Sequence, residues 1–202
     1  MIAKRRNTKL LSEFFHSFIV VPLALLSCQV MRVVIQRVKS ASVHVDGQLI
    51  SEIGRGLMVL VGISRDDEDK DVAYLARKIV NLRLFEDEEK QRRWDKSVKD
   101  VEGEILCVSQ FTLYSLLKGN KLDFHLSMSP DASMALYEAF LSKVRSEYKA
   151  PDKVKGGVFG AMMDVSLVND GPVTITLDSR NSDPPPRSIL KMSTIGDNTD
   201  AV

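Results

Sequence analysis

Cysteine is scarce in this 202-residue chain, which has only Cys28 and Cys107, 79 positions apart. Two such residues cannot supply the four ligands of a structural zinc site, and they do not match the disulfide framework of a small secreted protein. The count favours a reducing compartment, and we expect the protein in the cytoplasm.

The sequence also lacks the short motifs of common enzyme sites. It contains no G-x-S-x-G, H-E-x-x-H, G-x-x-x-x-G-K-[ST], G-x-G-x-x-G or C-x-x-C string. Its three histidines are His16, His44 and His125, and only His125 falls in a polar loop. No arrangement of a serine and a carboxylate near His125 indicates a catalytic triad. We predict no triad, no metal ion and no organic cofactor.

Neither sign of charge is in large excess, since the formal net charge is +1 at pH 7. Basic and acidic residues number 4 and 1 in residues 1–30, 21 and 23 in residues 31–179, and 3 and 3 in residues 180–202. A near-neutral middle segment does not bind duplexes through a broad basic face. Nucleic-acid contacts should be local, through residues such as Lys118 and Lys121, and no DNA-specific partner is predicted.

The two ends of the sequence differ in pattern from its middle. Residues 1–30 begin with basic residues and continue into an apolar run that is shorter than the ~20 residues of a membrane span. They predict an organelle-targeting leader, or else a disordered extension with Met31 as the functional start. Residues 180–202 carry three consecutive prolines without periodicity, which predicts a disordered tail. The folded domain should span residues 31–179, without a membrane partner.

Apolar patterns in this middle segment predict strands at 33–38, 42–45, 49–53, 57–63 and 104–109. Asp46-Gly47 predicts a tight hairpin. Residues 161–168 and 173–177 are predicted to pair around 169–172. Helical spacing predicts one helix over about 67–81 and a second that Ser129 caps, Pro130 opens and Pro151 ends. The expected fold is α/β (α+β), with a mainly antiparallel or mixed sheet and two main helices packed on it.

Polar residues follow the last of the buried strands. Ser109, Gln110 and Thr112 are costly to bury without hydrogen bonds, and a turn beyond a strand can leave consecutive N–H groups facing an anionic oxygen. The segment Ser109-Gln110-Phe111-Thr112 is therefore a candidate oxyanion site. The alternative is a plain strand end with satisfied side chains.

A second unusual segment is Asn169-Asp170-Gly171-Pro172-Val173-Thr174. Asn, Asp, Gly and Pro all favour turns, so a plain hairpin is one interpretation. Pro172 also removes an N–H group and permits a cis peptide bond at low cost. The carbonyls of Gly171 and Pro172 would then form an acceptor pair that recognises an amine.

The two segments occur about 60 residues apart in one chain, in register with several other motifs. These are Met31-Arg32-Val33-Val34-Ile35-Gln36-Arg37-Val38, Lys118-Gly119-Asn120-Lys121, Asp123-Phe124-His125 and Phe159-Gly160-Ala161. On these strings the sequence resembles the D-aminoacyl-tRNA deacylase family over nearly all of 31–179. It resembles the main group, which carries both the Ser-Gln-Phe-Thr string and a Gly-cisPro motif.

The resemblance implies a homodimeric enzyme that binds the acceptor end of aminoacyl-tRNA. It would hydrolyse the ester of a D-amino acid, or of glycine on tRNA(Ala), in translation quality control. Ser109, Gln110, Phe111 and Thr112 would form the catalytic floor, where the N–H groups of Phe111 and Thr112 polarise the ester carbonyl. The 2′-hydroxyl of the terminal adenosine would help to activate water.

Chiral selection is implied to depend on a cis Gly171–Pro172 bond that reaches across the dimer interface and holds the α-amino group. The surrounding walls would exclude an L side chain, whereas a D side chain would point outward. The other substrate-binding residues that the resemblance implies are Arg37, which would fix this motif, and Phe159, Met163 and Asn169.

Three alternatives remain open. Thr112 could act as a covalent nucleophile, although the sequence shows no base to activate it. The chain could be a nucleic-acid-binding module of the same fold without turnover. It could also be a different small hydrolase that uses Thr112 or Cys107.

Overall fold

The computed structural model describes residues 30–179, a range that contains the predicted domain. The predicted tail, and the predicted leader except Val30, lie outside the described residues. In chain order the elements are β1 (Arg32–Val45), β2 (Gln48–Ile53), β3 (Gly56–Gly62), α1 (Asp69–Asn81), β4 (Arg83–Asp87), β5 (Arg92–Ser97), β6 (Glu104–Ser109), a 3₁₀ helix (Phe111–Tyr114), β7 (Leu116–Lys118), β8 (Lys121–Asp123), α2 (Pro130–Tyr148), a second 3₁₀ helix (Pro151–Lys153), β9 (Val154–Gly156) and β10 (Asp164–Asp178).

The main sheet has the strand order β10-β1-β3-β6-β9, and β2 pairs with β1. β1 runs antiparallel to β10, β2 and β3, whereas β3–β6 and β6–β9 are parallel pairs. Parallel neighbours require long crossovers, and these contain α1 and α2. The prediction of a mixed sheet with two main helices is confirmed.

Two apolar cores lie on opposite faces of this sheet. The larger core lies between the sheet and the two helices, and the helix residues in it are Val72, Leu75, Ala76, Ile79, Val80, Tyr137, Phe140, Leu141, Val144 and Tyr148. The smaller core contains Val38, Ala41, Val43, Ile53, Met58, Leu106 and Val108. β3 contributes alternate residues to both cores, which explains its continuous apolar sequence.

The predicted second hairpin around 169–172 is wrong, because β10 continues through these residues. Gln36 pairs with Thr174 and Val38 pairs with Asn169, so two steps along β1 match five steps along β10. The extra residues form a bulge in a strand that stays paired on both sides. Asn, Asp, Gly and Pro suit such a bulge for the same conformational reasons that they suit a turn.

The start of α2 only partly matches its prediction. Ser129 occupies the N-cap position, but its side chain makes no capping hydrogen bond. Pro130 is the first residue of the helix, where its fixed φ is favourable and its missing N–H group has no cost. The small hairpins β4–β5 and β7–β8 and the short strand β9 were not predicted.

Candidate active site

The first candidate segment begins where β6 ends. Ser109 lies beside Val61 of β3, and the N–H group of Gln110 continues that parallel pairing by donating to the Val61 carbonyl at 2.7 Å. The chain then turns directly into the 3₁₀ helix, and Phe111 is 59% exposed. The rigid sheet thus presents the start of a short helix to solvent.

Two consecutive N–H groups at this helix start are available to a ligand. The N–H of Leu113 donates to the Gln110 carbonyl at 3.3 Å, and that of Ser115 donates to the Thr112 carbonyl at 3.1 Å. The N–H groups of Phe111 and Thr112 have no acceptor within residues 30–179, as the geometry of a helix start dictates. They form a local donor pair that suits an oxyanion.

Among residues 30–179, the Gln110 side-chain amide is the only hydrogen-bond partner of the Thr112 hydroxyl. The hydroxyl oxygen accepts a hydrogen bond from the Gln110 side-chain Nε2 at 2.5 Å. An amide cannot take a proton from a hydroxyl at neutral pH, so this contact orients Thr112 without activating it.

Arg32 and Gly62 contribute to holding the 3₁₀ helix in place. Arg32 donates to the Leu113 carbonyl at 3.1 Å and pairs with Asp178 at 2.8 Å, and its guanidinium carbon lies 5.5 Å from the centre of the Tyr114 ring. Gly62 packs directly under the helix, since a Cβ atom there would lie 2.9 Å from the Leu113 Cβ. The position of the donor pair therefore depends on the start of β1 and the end of β3.

A histidine–carboxylate pair lies in the loop beside this segment. The His125 Nδ1 lies 2.7 Å from the Asp123 Oδ1, and the Phe124 ring meets the Phe111 ring edge-on at 5.0 Å. Lys118 also pairs with Asp123, and these hydrogen bonds, that from Lys118 above all, hold the pKa of Asp123 well below its usual value. Sequence reasoning missed this pair, although the two-residue spacing of Asp123 and His125 was a signal for it.

The two lysines expected to contact nucleic acid differ. Lys118 is engaged by Asp123, whereas Lys121 has no ion-pair partner among the described residues. Only Lys121 offers an unneutralised charge at the tip of the β7–β8 hairpin.

Phe159 and Met163 lie in the chain that follows β9, which runs beside the end of β6. The N–H of Gly157 donates to the Cys107 carbonyl at 2.9 Å, which keeps this chain alongside the end of β6. The Phe159 ring lies 5.7 Å from the Tyr137 ring, and the Met163 sulfur packs close to Gly157. Both side chains are half-buried against the two cores, so each is a packing residue as well as a candidate pocket wall.

The second candidate segment is the bulge of β10, residues 169–172. The Gly171–Pro172 peptide bond is cis, as the resemblance implied, and Gly171 has φ +132°. The Asn169 Oδ1 accepts from the Val173 N–H at 2.8 Å, and its Nδ2 donates to the Thr174 hydroxyl at 3.0 Å. Asn169 therefore closes the bulge, while Gly171 and Pro172 are exposed.

Arg37 connects this bulge to the β4–β5 hairpin. Its Nε donates to the Asp170 carbonyl at 3.1 Å and lies 3.2 Å from the Asp170 carboxylate. Another guanidinium nitrogen donates to the Leu84 carbonyl at 2.6 Å. The guanidinium carbon lies 6.0 Å from the Phe85 ring centre and 5.8 Å from the Trp94 ring centre. Sequence reasoning missed these three hairpin residues because the hairpin itself was not predicted.

The two candidate segments do not meet within one chain. Ser109 of β6 pairs with Val61 of β3, and Val61 pairs with Val33 of β1. The bulge lies opposite Arg37, which is four residues further along β1. Three strand spacings and a four-residue rise separate the segments by on the order of 20 Å. A single protomer cannot apply both segments to one small group.

Cys107 is not a nucleophile in this fold. It is fully buried in β6, and burial raises the pKa of its thiol to about 12. A thiol with that pKa has almost no thiolate at neutral pH. The hydrolase alternative that relies on Cys107 is therefore disfavoured.

We expect the buried Cys107 thiol to be unreactive in the native protein. In the full chain with Cys28→Ser, the native protein should show almost no thiol reaction with an aromatic disulfide reagent, because Cys107 is both inaccessible and protonated. The same sample in guanidinium should react fully. A thiol that reacts within minutes in the native state would contradict the buried position.

One surface groove lies away from the candidate segments. That groove, of about 580 Å³, lies between β2 and β9 and is lined by Leu49, Ile50, Ser51, Glu52, Arg145, Val154, Lys155 and Gly156. Its two cations already have partners, since Lys155 pairs with Glu104 at 3.0 Å and Arg145 donates to the Val154 carbonyl at 3.2 Å. The groove therefore lies apart from both candidate segments.

Residues 30–179 contain neither a metal-binding cluster nor a membrane-spanning helix. No group of three His, Cys, Asp or Glu side chains is arranged to hold a metal ion in this range. Neither helix there has the length and apolar composition needed to cross a membrane.

Comparison with known proteins gives consistent matches. The family model described as D-Tyr-tRNA(Tyr) deacylase matches residues 34–178. The sequence is 56% identical over 150 residues to a D-aminoacyl-tRNA deacylase of Dictyostelium discoideum, covering 74% of this chain and 99% of the relative.

Two solved structures share the fold. One, named c-Myc DNA Unwinding Element Binding Protein, is 51% identical with a TM-score of 0.69, covering 76% of this chain and 99% of that one. The other is described as a "probable eukaryotic D-amino acid tRNA deacylase". It is 22% identical with a TM-score of 0.67, covering 74% of this chain and 100% of that one, and at this identity it supports the fold alone.

Proposed function

The chain belongs to the D-Tyr-tRNA(Tyr) deacylase family, and from that premise we propose that it is a hydrolase that cleaves the ester bond of D-aminoacyl-tRNA. The observation that carries this proposal is the donor pair at Phe111 and Thr112, which the end of β6 presents to solvent without an acceptor among the described residues. The substrate is an aminoacyl-tRNA, bound by its acceptor end.

In this proposal the floor segment, Ser109 to Thr112, carries out the chemical step. A water molecule adds to the ester carbonyl carbon, and the carbonyl oxygen gains negative charge that the two N–H groups stabilise. The bond between that carbon and the ribose oxygen then breaks, and the ribose oxygen takes a proton. In this proposal the neighbouring 2′-hydroxyl helps to activate the water, since Thr112 has only an amide beside it.

In this proposal the bulge segment, residues 169–172, selects between D and L substrates. The bulge that acts at one floor belongs to a second copy of the chain. The separation of on the order of 20 Å within one protomer means that the bulge must reach a floor in another. In this proposal the exposed Gly171 and Pro172 carbonyls hold the α-amino group across a homodimer interface. An L side chain meets the wall, a D side chain points outward, and glycine is accepted, including glycine on tRNA(Ala).

A deacylation assay on matched substrates tests the function. We expect the protein to release D-tyrosine from D-tyrosyl-tRNA(Tyr) and to leave L-tyrosyl-tRNA(Tyr) intact in the same time. Equal rates on the two substrates would overturn the stereochemical part, and no hydrolysis of either would overturn the hydrolase proposal.

Thr112→Ala should change the rate only modestly if the backbone N–H groups do the work. The substitution removes the Gln110–Thr112 hydrogen bond of 2.5 Å, so we expect kcat to fall by no more than about fivefold. Single-turnover deacylation of D-aminoacyl-tRNA measures this rate. Thr176→Ala is the control, because it removes an exposed threonine from a strand outside the floor segment. A fall of a thousandfold or more, or a trapped aminoacyl-protein, would instead establish Thr112 as the nucleophile.

A second candidate function is nucleic-acid binding without turnover. It is favoured by one observation, the name of the 51% identical protein, which refers to binding of a DNA element. The near-neutral balance of 21 basic and 23 acidic residues over 31–179 gives no broad basic face for a duplex. Duplex binding with a steep salt dependence, together with inactivity on charged tRNA, would favour this second function.

We further propose that the protein acts in the cytoplasm. A fluorescent fusion of the full chain, compared with one that lacks residues 1–30, tests this together with the targeting interpretation of that segment. Organelle signal that depends on residues 1–30 would overturn the cytoplasmic proposal.

A further inference from the structure

Trp94, the only tryptophan of the chain, lies at an irregular point of the β4–β5 hairpin. Phe85 pairs with Lys96 and Asp87 pairs with Arg92, so two steps along β4 match four steps along β5. Within this bulge Trp94 has φ +59°, and 53% of its surface is exposed. A left-handed backbone is unfavourable for an aromatic residue, and an exposed indole gains little from burial, so neither feature is explained by stability alone.

The indole faces the arginine that holds the β10 bulge. The guanidinium carbon of Arg37 lies 5.8 Å from the Trp94 ring centre, and the Arg37 side chain is only 12% exposed. From this position Arg37 donates to the carbonyls of Leu84 and Asp170. The next residue, Gly171, is in close contact with Arg37, because a Cβ atom there would lie 3.2 Å from a guanidinium nitrogen.

We propose that Trp94 is a positioning residue for chiral selection, acting through Arg37; this inference rests on the proposed function. The ring covers the guanidinium and shields it from water, and it restricts the orientation of the planar fork. That orientation directs one nitrogen to Leu84 and another to Asp170. The β4–β5 hairpin thus serves as a fixed support against which the bulge carbonyls are aligned.

The selectivity of the enzyme is the property that should change. Without the indole, water competes for the guanidinium and the bulge gains alternative orientations, so the wall against L side chains becomes less well defined. The floor segment is on the order of 20 Å away in the same protomer, and its hydrogen bonds do not include Trp94 or Arg37. Discrimination between L and D substrates should therefore weaken more than the chemical step.

Trp94→Gly and Trp94→Phe form the test pair. Glycine suits the left-handed backbone and removes the whole Trp94 side chain without adding backbone strain, whereas phenylalanine keeps an aromatic face. For Trp94→Gly we expect the ratio of L to D kcat/KM to rise about three- to tenfold, in line with the usual strength of such contacts. Trp94→Phe should stay within about twofold of the parent ratio. Arg93→Ala is the matched control, because Arg93 is exposed on the same strand and has no ion-pair partner among the described residues.

The same substitution in an Arg37→Lys variant shows whether Trp94 acts through Arg37. In an Arg37→Lys chain, which lacks the planar fork, Trp94→Gly should raise the ratio by much less than in the parent, since coupled residues are not additive. An equal rise in both backgrounds, or an unchanged ratio for Trp94→Gly with normal D-activity, would overturn the positioning role alone. Inactivity of the parent protein on every charged tRNA would instead overturn the proposed function.

Discussion

Gly171→Ala is expected to lower kcat/KM for D-aminoacyl-tRNA about 100-fold, the usual effect of misplacing a substrate by about 1 Å. Gly171 has φ +132°, which residues with a Cβ atom rarely adopt. The added Cβ would also lie 2.8 Å from the Val173 Cγ2 and 3.2 Å from the Arg37 guanidinium. The bulge must move to accept it, and the carbonyls proposed to hold the α-amino group move with it. Steady-state deacylation of D-tyrosyl-tRNA(Tyr) measures the loss.

Gly47→Ala is the matched control for this change. Gly47 also has a left-handed φ, +77°, but no atom lies within 4 Å of an added Cβ, and the residue is at the tip of the β1–β2 hairpin. We expect a stability cost of about 1 kcal/mol, seen as a lower Tm, with activity unchanged. If the two variants lose activity equally, the effect belongs to backbone strain in general and not to the bulge.

Gly62→Ala is expected to reduce kcat about 100-fold, the usual cost of losing one oxyanion donor, while the ratio of L to D activity stays as in the parent. The new Cβ would lie 2.9 Å from the Leu113 Cβ and 3.1 Å from the Tyr114 ring. Since β3 is fixed by strands on both sides, the 3₁₀ helix must shift instead. Its first two N–H groups then leave the position proposed for the carbonyl oxygen that gains charge. Single-turnover rates on D and L substrates separate this outcome from a loss of selectivity.

Gly54→Ala controls for adding a methyl group near the same sheet. Its nearest neighbour, the Glu104 carboxylate, would lie at an ordinary contact distance of 3.5 Å. We expect normal rates from this variant. Normal rates from Gly62→Ala as well would show that the donor pair tolerates displacement, and the oxyanion role would then be untenable.

Co-expression of the Gly171→Ala and Gly62→Ala chains tests whether each active site contains residues from two chains. If the protein is the proposed homodimer, co-expressed Gly171→Ala and Gly62→Ala chains should form mixed dimers in which one site has an intact floor from one chain and an intact bulge from the other. Random pairing should therefore restore about a quarter of the parent sites, although each variant alone is nearly inactive. Activity no higher than the mean of the two variants would contradict a shared site.

Much of the scaffold could be predicted because its elements carry strong periodic signals. The continuous apolar run of β3 and the helical spacing of Val72, Leu75 and Ile79 are direct consequences of burial. Asp46 and Gly47 also take the positive φ values, 50° and 77°, that a tight hairpin requires. In such segments local preference and tertiary packing agree.

The remaining features depend on pairing that local sequence does not reveal. Turn residues at 169–172 suit a bulge as well as a hairpin, and only the register of β10 against β1 distinguishes the two. The β4–β5 hairpin has a mostly polar, exposed second strand, so no alternation identified it. Because that hairpin was not predicted, the contacts of Leu84 and Trp94 with Arg37 could not be anticipated.

The candidate residues could be named from motifs, but their arrangement could not. Ser109 to Thr112 and Asn169 to Thr174 stand out in the sequence as separate strings. Their separation within one protomer follows from the strand order β10-β1-β3-β6, which requires the complete fold. In the proposed function, the need for a second copy therefore rests on the complete fold and not on the motifs alone.

The pairing of the first strand with the last has a consequence for how the protein is made. Arg32 pairs with Asp178 and Gln36 pairs with Thr174, so one long edge of β1 has no partner until nearly all of the described chain has been synthesised. An unpaired strand edge is a template for association with other chains, and contacts this distant in sequence form slowly. During translation, this open edge of β1 is therefore a site at which the nascent protein can associate with other chains.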